Sequence, residues 1–384
     1  MKVAPTSRRG GRIAGFDGLR AVSVLLVFAG HKMVNGLSLL RDFKDPLPLG
    51  SMGVRIFFVL SGFLIVGILH RQRADVEAGA RVRDELGAFW VRRSLRILPI
   101  YFLTLAVITI LALTHWGRAF WQQGLAWYWL FVENFYLYFQ GLQTGSLQWG
   151  DFSHLWSVAV EQQFYAIAGF ALLILPGRHH APVLWVTLVL ALANVLISAL
   201  TGSGRLAYVL PLPNFAFMAA GGLLAVGAWR GASTFWPAFW GFMLLLLLPF
   251  LRLPLDDNIW VATVFALEFV TVVNLISYVS CNQHSRLVRL LEWAPLQGLG
   301  VISYGFYLYH FFVPPLWEVM AWANLGTPTR GQKLLWTPVQ LFLTVAISLL
   351  SWRLIEKPVL GLAPTRRGRS PHDRPAVSPT SRVS

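Results

Sequence analysis

Cysteine is nearly absent from this 384-residue sequence: Cys281 is the only one. That excludes an intrachain disulfide and any cysteine-built metal centre. Charge is scarce too. Charged residues make up 13% of the chain against 56% hydrophobic, whereas soluble domains carry about 25% charged residues. So little polar material cannot clothe a soluble surface. Acidic residues are the rarest, 17 against 32 Lys and Arg, for a net charge of +15. An excess of that size can mark a nucleic-acid binder. Here, however, the basic residues lie between apolar runs and at the two ends, so nucleic acid is excluded as a partner. They read instead as signals that hold loops in the cytoplasm. The start is basic (Lys2, Arg8, Arg9, Arg12) but lacks the short apolar core and small-residue cleavage site of a signal peptide. Residues 1–15 are therefore expected to form a retained cytoplasmic tail. Residues 359–384, rich in Pro, Ser and Arg, are expected to be a second, disordered cytoplasmic tail.

What is present is apolar sequence in long runs. Segments near 16–34, 50–70, 96–114, 124–140, 152–175, 183–201, 207–229, 235–251, 258–280, 298–320 and 336–356 approach the length that spans a bilayer. No internal repeat is visible among them. Basic residues at both ends require an even number of crossings, so one of the eleven must fail. The weakest is 124–140, which is aromatic and interrupted by Glu133 and Asn134. Without it the arginine-rich loops 71–95, 176–182, 230–234 and 281–297 all fall on the cytoplasmic side, and 115–150 becomes an outer aromatic segment. The expected fold is an all-α polytopic bundle of about ten transmembrane helices over 16–358, both termini cytoplasmic, in the cell inner membrane.

In such a bundle the informative residues are polar ones at depth, because each is costly to bury. Arg20 and His31 stand eleven residues apart, close to three helical turns, which puts them on one face about 16 Å apart. His31 then lies near mid-membrane, and imidazole is the side chain suited to proton transfer near neutral pH. By the same counting Glu161, His310 and Ser61 fall near that depth. Glu268 does as well, but it has no motif around it and reads as structural. The bland alternatives are a packing histidine at 31 and a buried-cation partner at 161. Arg93 and Arg96 share a helical face where a basic loop enters the membrane. They either anchor the loop or hold phosphates by forked hydrogen bonds. The aromatic run from Trp121 to Tyr138 reads as an interfacial belt, or less simply as a sugar-stacking platform.

The same residues fall in ordered blocks. Phe16-Asp17-Gly18-Leu19-Arg20-Ala21 is followed by His31, and then by Gly53-Val54-Arg55-Ile56-Phe57-Phe58-Val59-Leu60-Ser61-Gly62. Arg92-Arg93-Ser94-Leu95-Arg96 and His154-Leu155-Trp156-Ser157 through Glu161 to Tyr165 come next. Ser303-Tyr304-Gly305-Phe306-Tyr307-Leu308-Tyr309-His310 and Glu356-Lys357-Pro358 complete the set. Together they resemble the acyltransferase-3 family of integral membrane acyltransferases, of O-acetyltransferase type. The resemblance implies a ten-helix core that moves an acyl group, often acetyl, from acyl-CoA to a hydroxyl, commonly of a surface polysaccharide or other glycoconjugate. It also implies that Arg20 and His31 are essential. Some members carry a soluble esterase-like domain after the membrane part. This sequence has a short basic tail there, so such a partner is expected to be separate or unneeded.

The resulting expectation is specific. Acyl-CoA docks from the cytoplasm on Arg20, Arg93 and Arg96. His31 is general base, or takes the acyl group transiently, and Glu161 orients or charge-balances it. Asp17, Ser61, Tyr165, Tyr304 and His310 line the substrate cavity. No metal or bound cofactor is required. Besides acyl-CoA, the partners are a carbohydrate or lipid-linked saccharide acceptor and membrane lipids. The rival is a transporter or flippase of an anionic lipid-linked saccharide. Paired Gly/Pro-broken helices in two halves, its usual mark, are not visible.

Overall fold

A computed structural model describes residues 12–33, 48–111, 124–147, 152–229, 234–251, 253–314 and 319–363, save 321–322, 324 and 328. The expectations for most of both tails, for Trp121 and for Arg230 lie outside the described residues. Every regular element among the described residues is helical. Six helices are long and apolar enough to cross a membrane: Leu49–Glu77, Val82–Ile110, Ser153–Ile174, Gly177–Leu200, Asp257–Cys281 and Leu335–Gly361. Large apolar side chains such as Ile167, Phe170, Val186, Leu190, Phe342 and Leu354 stay exposed on them, while Arg55, Asn214, Glu268 and His310 are buried. Apolar outside and polar within is the pattern a lipid solvent demands. The chain is a multi-pass membrane protein.

The first helix, α1 (Phe16–Phe28), ends in a π-helical turn, Ala29–Met33. It packs on α2 (Leu49–Glu77), which also meets α6 (Trp156–Ile174), α9 (Pro211–Ala225) and α11 (Asp257–Cys281). Between these lie α3 (Val82–Leu111), α4 (Leu125–Trp129), α5 (Glu133–Thr144), α7 (His180–Leu200), α8 (Gly204–Ala207) and α10 (Trp236–Leu247). The contact of α2 with α9 depends on glycine. A Cβ on Gly62 would lie 2.0 Å from the Met218 carbonyl oxygen, and one on Gly221 would lie 2.1 Å from that of Val59. With lipid outside, helices gain nothing from burying apolar surface against each other, so close backbone approach supplies the attraction.

Two expectations change. The loop 71–95 is almost wholly helix, because α2 runs on to Glu77 and α3 begins at Val82. Its Arg, Glu, Gln and Ala residues are good helix formers, and Gln72 ties the two helices by donating to the Glu85 carbonyl (3.0 Å) and carboxylate (2.8 Å). The segment 298–320 is not one helix. After the short α12 (Arg286–Leu291) come α13 (Ala294–Val301), a break at Ile302, then α14 (Ser303–Tyr309), with no helix from His310 to Pro314. Pro314-Pro315 forbids continuation, since each proline lacks an N–H and disfavours helix in the residue before it. The segment 124–140, expected to fail as a crossing, is broken between α4 and α5, where Phe131 takes φ 54°. Much of its aromatic run packs on α3, with Phe131 stacked on Tyr101 at 4.3 Å and Trp129 on Phe102 at 5.6 Å.

Candidate active site

The expected single site divides into two cavities. The smaller, about 80 Å³, is lined by Arg20 from α1, Ser61 from α2, Arg93 and Arg96 from α3, Glu161 and Tyr165 from α6, and Tyr304 from α14. The Arg20 guanidinium donates to Asp17 at 2.7 Å, an i,i+3 pair. Asp17 also receives Arg12 at 2.8 Å and does not line the cavity. Ser61 and Tyr165 both donate to the Glu161 carboxylate, and the Arg93 guanidinium sits 5.7 Å from the Tyr165 ring centre. Tyr304 donates to the Ile97 carbonyl at 3.2 Å. Among the residues that line the cavity, three guanidiniums thus accompany one carboxylate, Glu161, while Asp17 pairs with Arg20 and Glu356 acts on Arg96 from outside the lining. The surplus positive charge, in forked donors, suits a phosphate-bearing ligand.

The larger cavity, about 830 Å³, is lined by His31, Ser51, Arg55, His154, Tyr208 and Glu268 among others. His31 and Glu161, expected to pair, belong to different cavities. The reason is local. Glu161 and Ser61 line the cavity at the Arg20 level of the first helix, whereas His31 lies further along, past a π turn that begins at Ala29. The same turn brings Gly30 against Gly50, where an added Cβ would meet the Gly50 nitrogen at 2.6 Å.

His31 meets His310. Their Nδ1 and Nε2 atoms are 3.0 Å apart. The rings are nearly parallel (6°) with centres 5.2 Å apart, a separation that an in-plane N–H···N contact produces. His310, fully buried, donates from Nδ1 to the Tyr307 carbonyl at 2.7 Å. That carbonyl needs a donor because α14 ends there and leaves its last carbonyls without helical partners. The chain of donors fixes both tautomers. A carbonyl only accepts, so His310 carries its proton on Nδ1 and accepts at Nε2. The proton between the rings therefore belongs to Nδ1 of His31, and the His31 lone pair lies on Nε2. Gly50 lies beside that nitrogen: a Cβ on it would be 3.9 Å from Nε2. An imidazole held in one tautomer by an acceptor behind it is equipped to take a proton from a hydroxyl.

Two residues were under-read in the sequence. His154 sits in a quoted block but was given no role. Its ring stacks on Phe311 at 4.4 Å and meets His310 edge-on at 4.9 Å. Arg55 is 1% exposed, paired with Glu268 at 3.3 Å and hydrogen-bonded to Asn214, with its guanidinium 4.7–5.4 Å from the ring centres of Phe217, Tyr208 and Phe265. Glu268 also accepts from Ser51. The signal for Arg55 was available: it is the one charge within the apolar run 50–70. The structural reading of Glu268 agrees with this geometry, in which it pairs with Arg55.

Comparison with known proteins bears on the site. YrhL of Bacillus subtilis (strain 168) is 30% identical over 377 residues, covering 90% of this chain and 55% of its own length. Peptidoglycan O-acetyltransferase OatA of Listeria monocytogenes is 26% identical over 375 residues, covering 90% and 56%. O-acetyltransferase OatA of Staphylococcus aureus (strain NCTC 8325 / PS 47) is 23% identical over 380 residues, covering 90% and 57%. The chain thus spans little more than half the length of these curated relatives. No solved structure matches it. The acyltransferase domain of the acyltransferase-3 family matches residues 13–353, which takes in both cavities, the three arginines and the imidazole pair, and the chain belongs to that family.

Proposed function

We propose that this chain is a membrane O-acyltransferase that moves an acyl group, acetyl in the first instance, from cytoplasmic acyl-CoA to a hydroxyl of a cell-surface carbohydrate such as peptidoglycan. The observation that carries the reading is the hydrogen-bonded series from the Tyr307 carbonyl through His310 to His31, which leaves a lone pair on Nε2 beside the larger cavity. The acceptor hydroxyl occupies that cavity and gives its proton to Nε2. Its oxygen attacks the thioester carbon, the C–S bond breaks as the C–O bond forms, and the proton passes on to the departing sulfur. Arg20, Arg93 and Arg96 hold the donor phosphates on the cytoplasmic side, with Glu161, fixed by Ser61 and Tyr165, as their counter-charge. Ten crossings with both termini in the cytoplasm fit this reading. The six long helices are joined by four shorter elements at the remaining expected positions: α1 with its π turn, α9, α10 with the turn Leu248–Leu251, and α13–α14. The relatives named as O-acetyltransferases support the reaction class.

The test is acyl transfer from labelled acetyl-CoA to a carbohydrate acceptor by purified protein. His31→Ala should lower ester formation by about 10²–10⁴-fold, the usual contribution of a positioned base, while acetyl-CoA still binds. Gln at 31 should not rescue, because it can copy a hydrogen bond but cannot take a proton. Full activity in the alanine variant would defeat the mechanism. A wild-type protein that moves a saccharide without consuming acyl-CoA would return the rival transporter reading.

A further inference from the structure

The two cavities share two lining residues, Val54 and Tyr307. The arginines lie on one side of that pair and His31 on the other. If the donor is held at the arginines and the hydroxyl at His31, the acyl carbon is handed over between these two side chains.

Both are poorly placed to yield. Tyr307 is pinned at both ends. Its hydroxyl is 2.6 Å from the Ser157 hydroxyl and 2.6 Å from the His154 carbonyl oxygen, which it donates to. Its backbone carbonyl accepts the His310 proton, which ties the backbone that carries the ring to the imidazole pair. Phe57 packs edge-on against it with ring centres 6.3 Å apart. Val54 is buried on α2 and β-branched, which leaves essentially one side-chain rotamer in a helix. The backbone beneath it cannot retreat: at the preceding Gly53 an added Cβ would lie 2.5 Å from the Ser23 carbonyl oxygen of α1. Size adds to the argument. The space on the arginine side is about 80 Å³, roughly a tenth of the 830 Å³ on the His31 side. A longer acyl chain therefore meets its tightest fit at the junction and on the donor side.

We propose that Val54 and Tyr307 form the junction through which the acyl group meets its acceptor, and that they restrict the donor to the shortest acyl chains, acetyl above all. The proposal rests on the acyl-CoA reading above. It concerns which thioester is used: in each case the C–S bond breaks, the C–O bond forms and the hydroxyl proton ends on sulfur.

The experiment compares kcat/KM for acetyl-, propionyl- and butyryl-CoA with one carbohydrate acceptor, using the full chain in proteoliposomes. Wild type should lose about 10–200-fold for each added methylene, the range a tight pocket imposes. Val54→Ala should narrow the gap between acetyl and butyryl at least about tenfold by raising the butyryl rate. Val54→Ile, which keeps the branching, should widen it. Tyr307→Phe, which keeps the ring but frees it from Ser157 and the His154 carbonyl, should narrow it as well. A wild type that uses butyryl-CoA as well as acetyl-CoA overturns the proposal. So does an unchanged preference order and gap in both Val54 variants. A wild type that consumes none of the three thioesters overturns the acyl-CoA reading instead, so the two failures are told apart.

Discussion

At the scale of single residues, the decisive contact joins His31 to a neighbour 279 positions away. On the proposed mechanism His310 acts as a positioning residue, since it meets His31 and does not line the larger cavity. Its loss should therefore act on kcat and spare KM for acyl-CoA. We expect His310→Ala to lower kcat by at least about tenfold, short of the loss in His31→Ala, which removes the base itself. Gln at 310 should restore part of the rate, since its carbonyl can accept from Nδ1 of His31. Equal loss in the Ala and Gln variants, or a change confined to KM, would count against the tautomer argument. Sequence counting brought His31 and His310 to a similar depth, and the contact agrees with that. It does not hold for Glu161 and Ser61, which lie in the cavity with Arg20 rather than with His31. Depth counted from the ends of an apolar run inherits the uncertainty of those ends, which hydropathy fixes only to within a few residues.

At the scale of elements, the long helices were legible because their apolar runs are long, and α6, α7 and α11 begin and end within a few residues of expectation. The extension of α2 and α3 into polar sequence was not, because a charged helix off the membrane carries no hydropathy signal. Neither was the early end of α14, although Pro314-Pro315 was in plain view. The glycine contacts make a paired prediction. Gly221→Val should destabilise the protein by about 1–3 kcal/mol or more, because the added atoms meet backbone of α2 and no flexible side chain can give way. Gly87→Ala, on a helical stretch of α3 where an added Cβ meets nothing within 4 Å, should instead stabilise it by about 0.4–1 kcal/mol. Thermal unfolding in one detergent, read for both variants against wild type, checks the pair. A neutral Gly221→Val would mean that α2 and α9 are not packed backbone to backbone.

At the scale of the molecule, six long helices are established, and the ten-crossing arrangement can be tested with the one native thiol removed. In a Cys281→Ser background, cysteine at the exposed Arg178 should react with an impermeant thiol reagent only after the cells are opened, whereas cysteine at the exposed Asp256 should react in intact cells. Labelling in the reverse order would turn the bundle over and place the arginine cavity on the wrong side for a cytoplasmic donor. The inequality of the two cavities then takes on an economic meaning for the cell. Nothing outside the cytoplasm can reactivate a spent thiol carrier, so an enzyme that let its nucleotide cross with the acyl group would drain a pool it cannot refill. On the proposed function, a narrow donor side opening on a broad acceptor side is a valve for matter: the ester leaves with the acceptor, and the carrier stays home to be recharged.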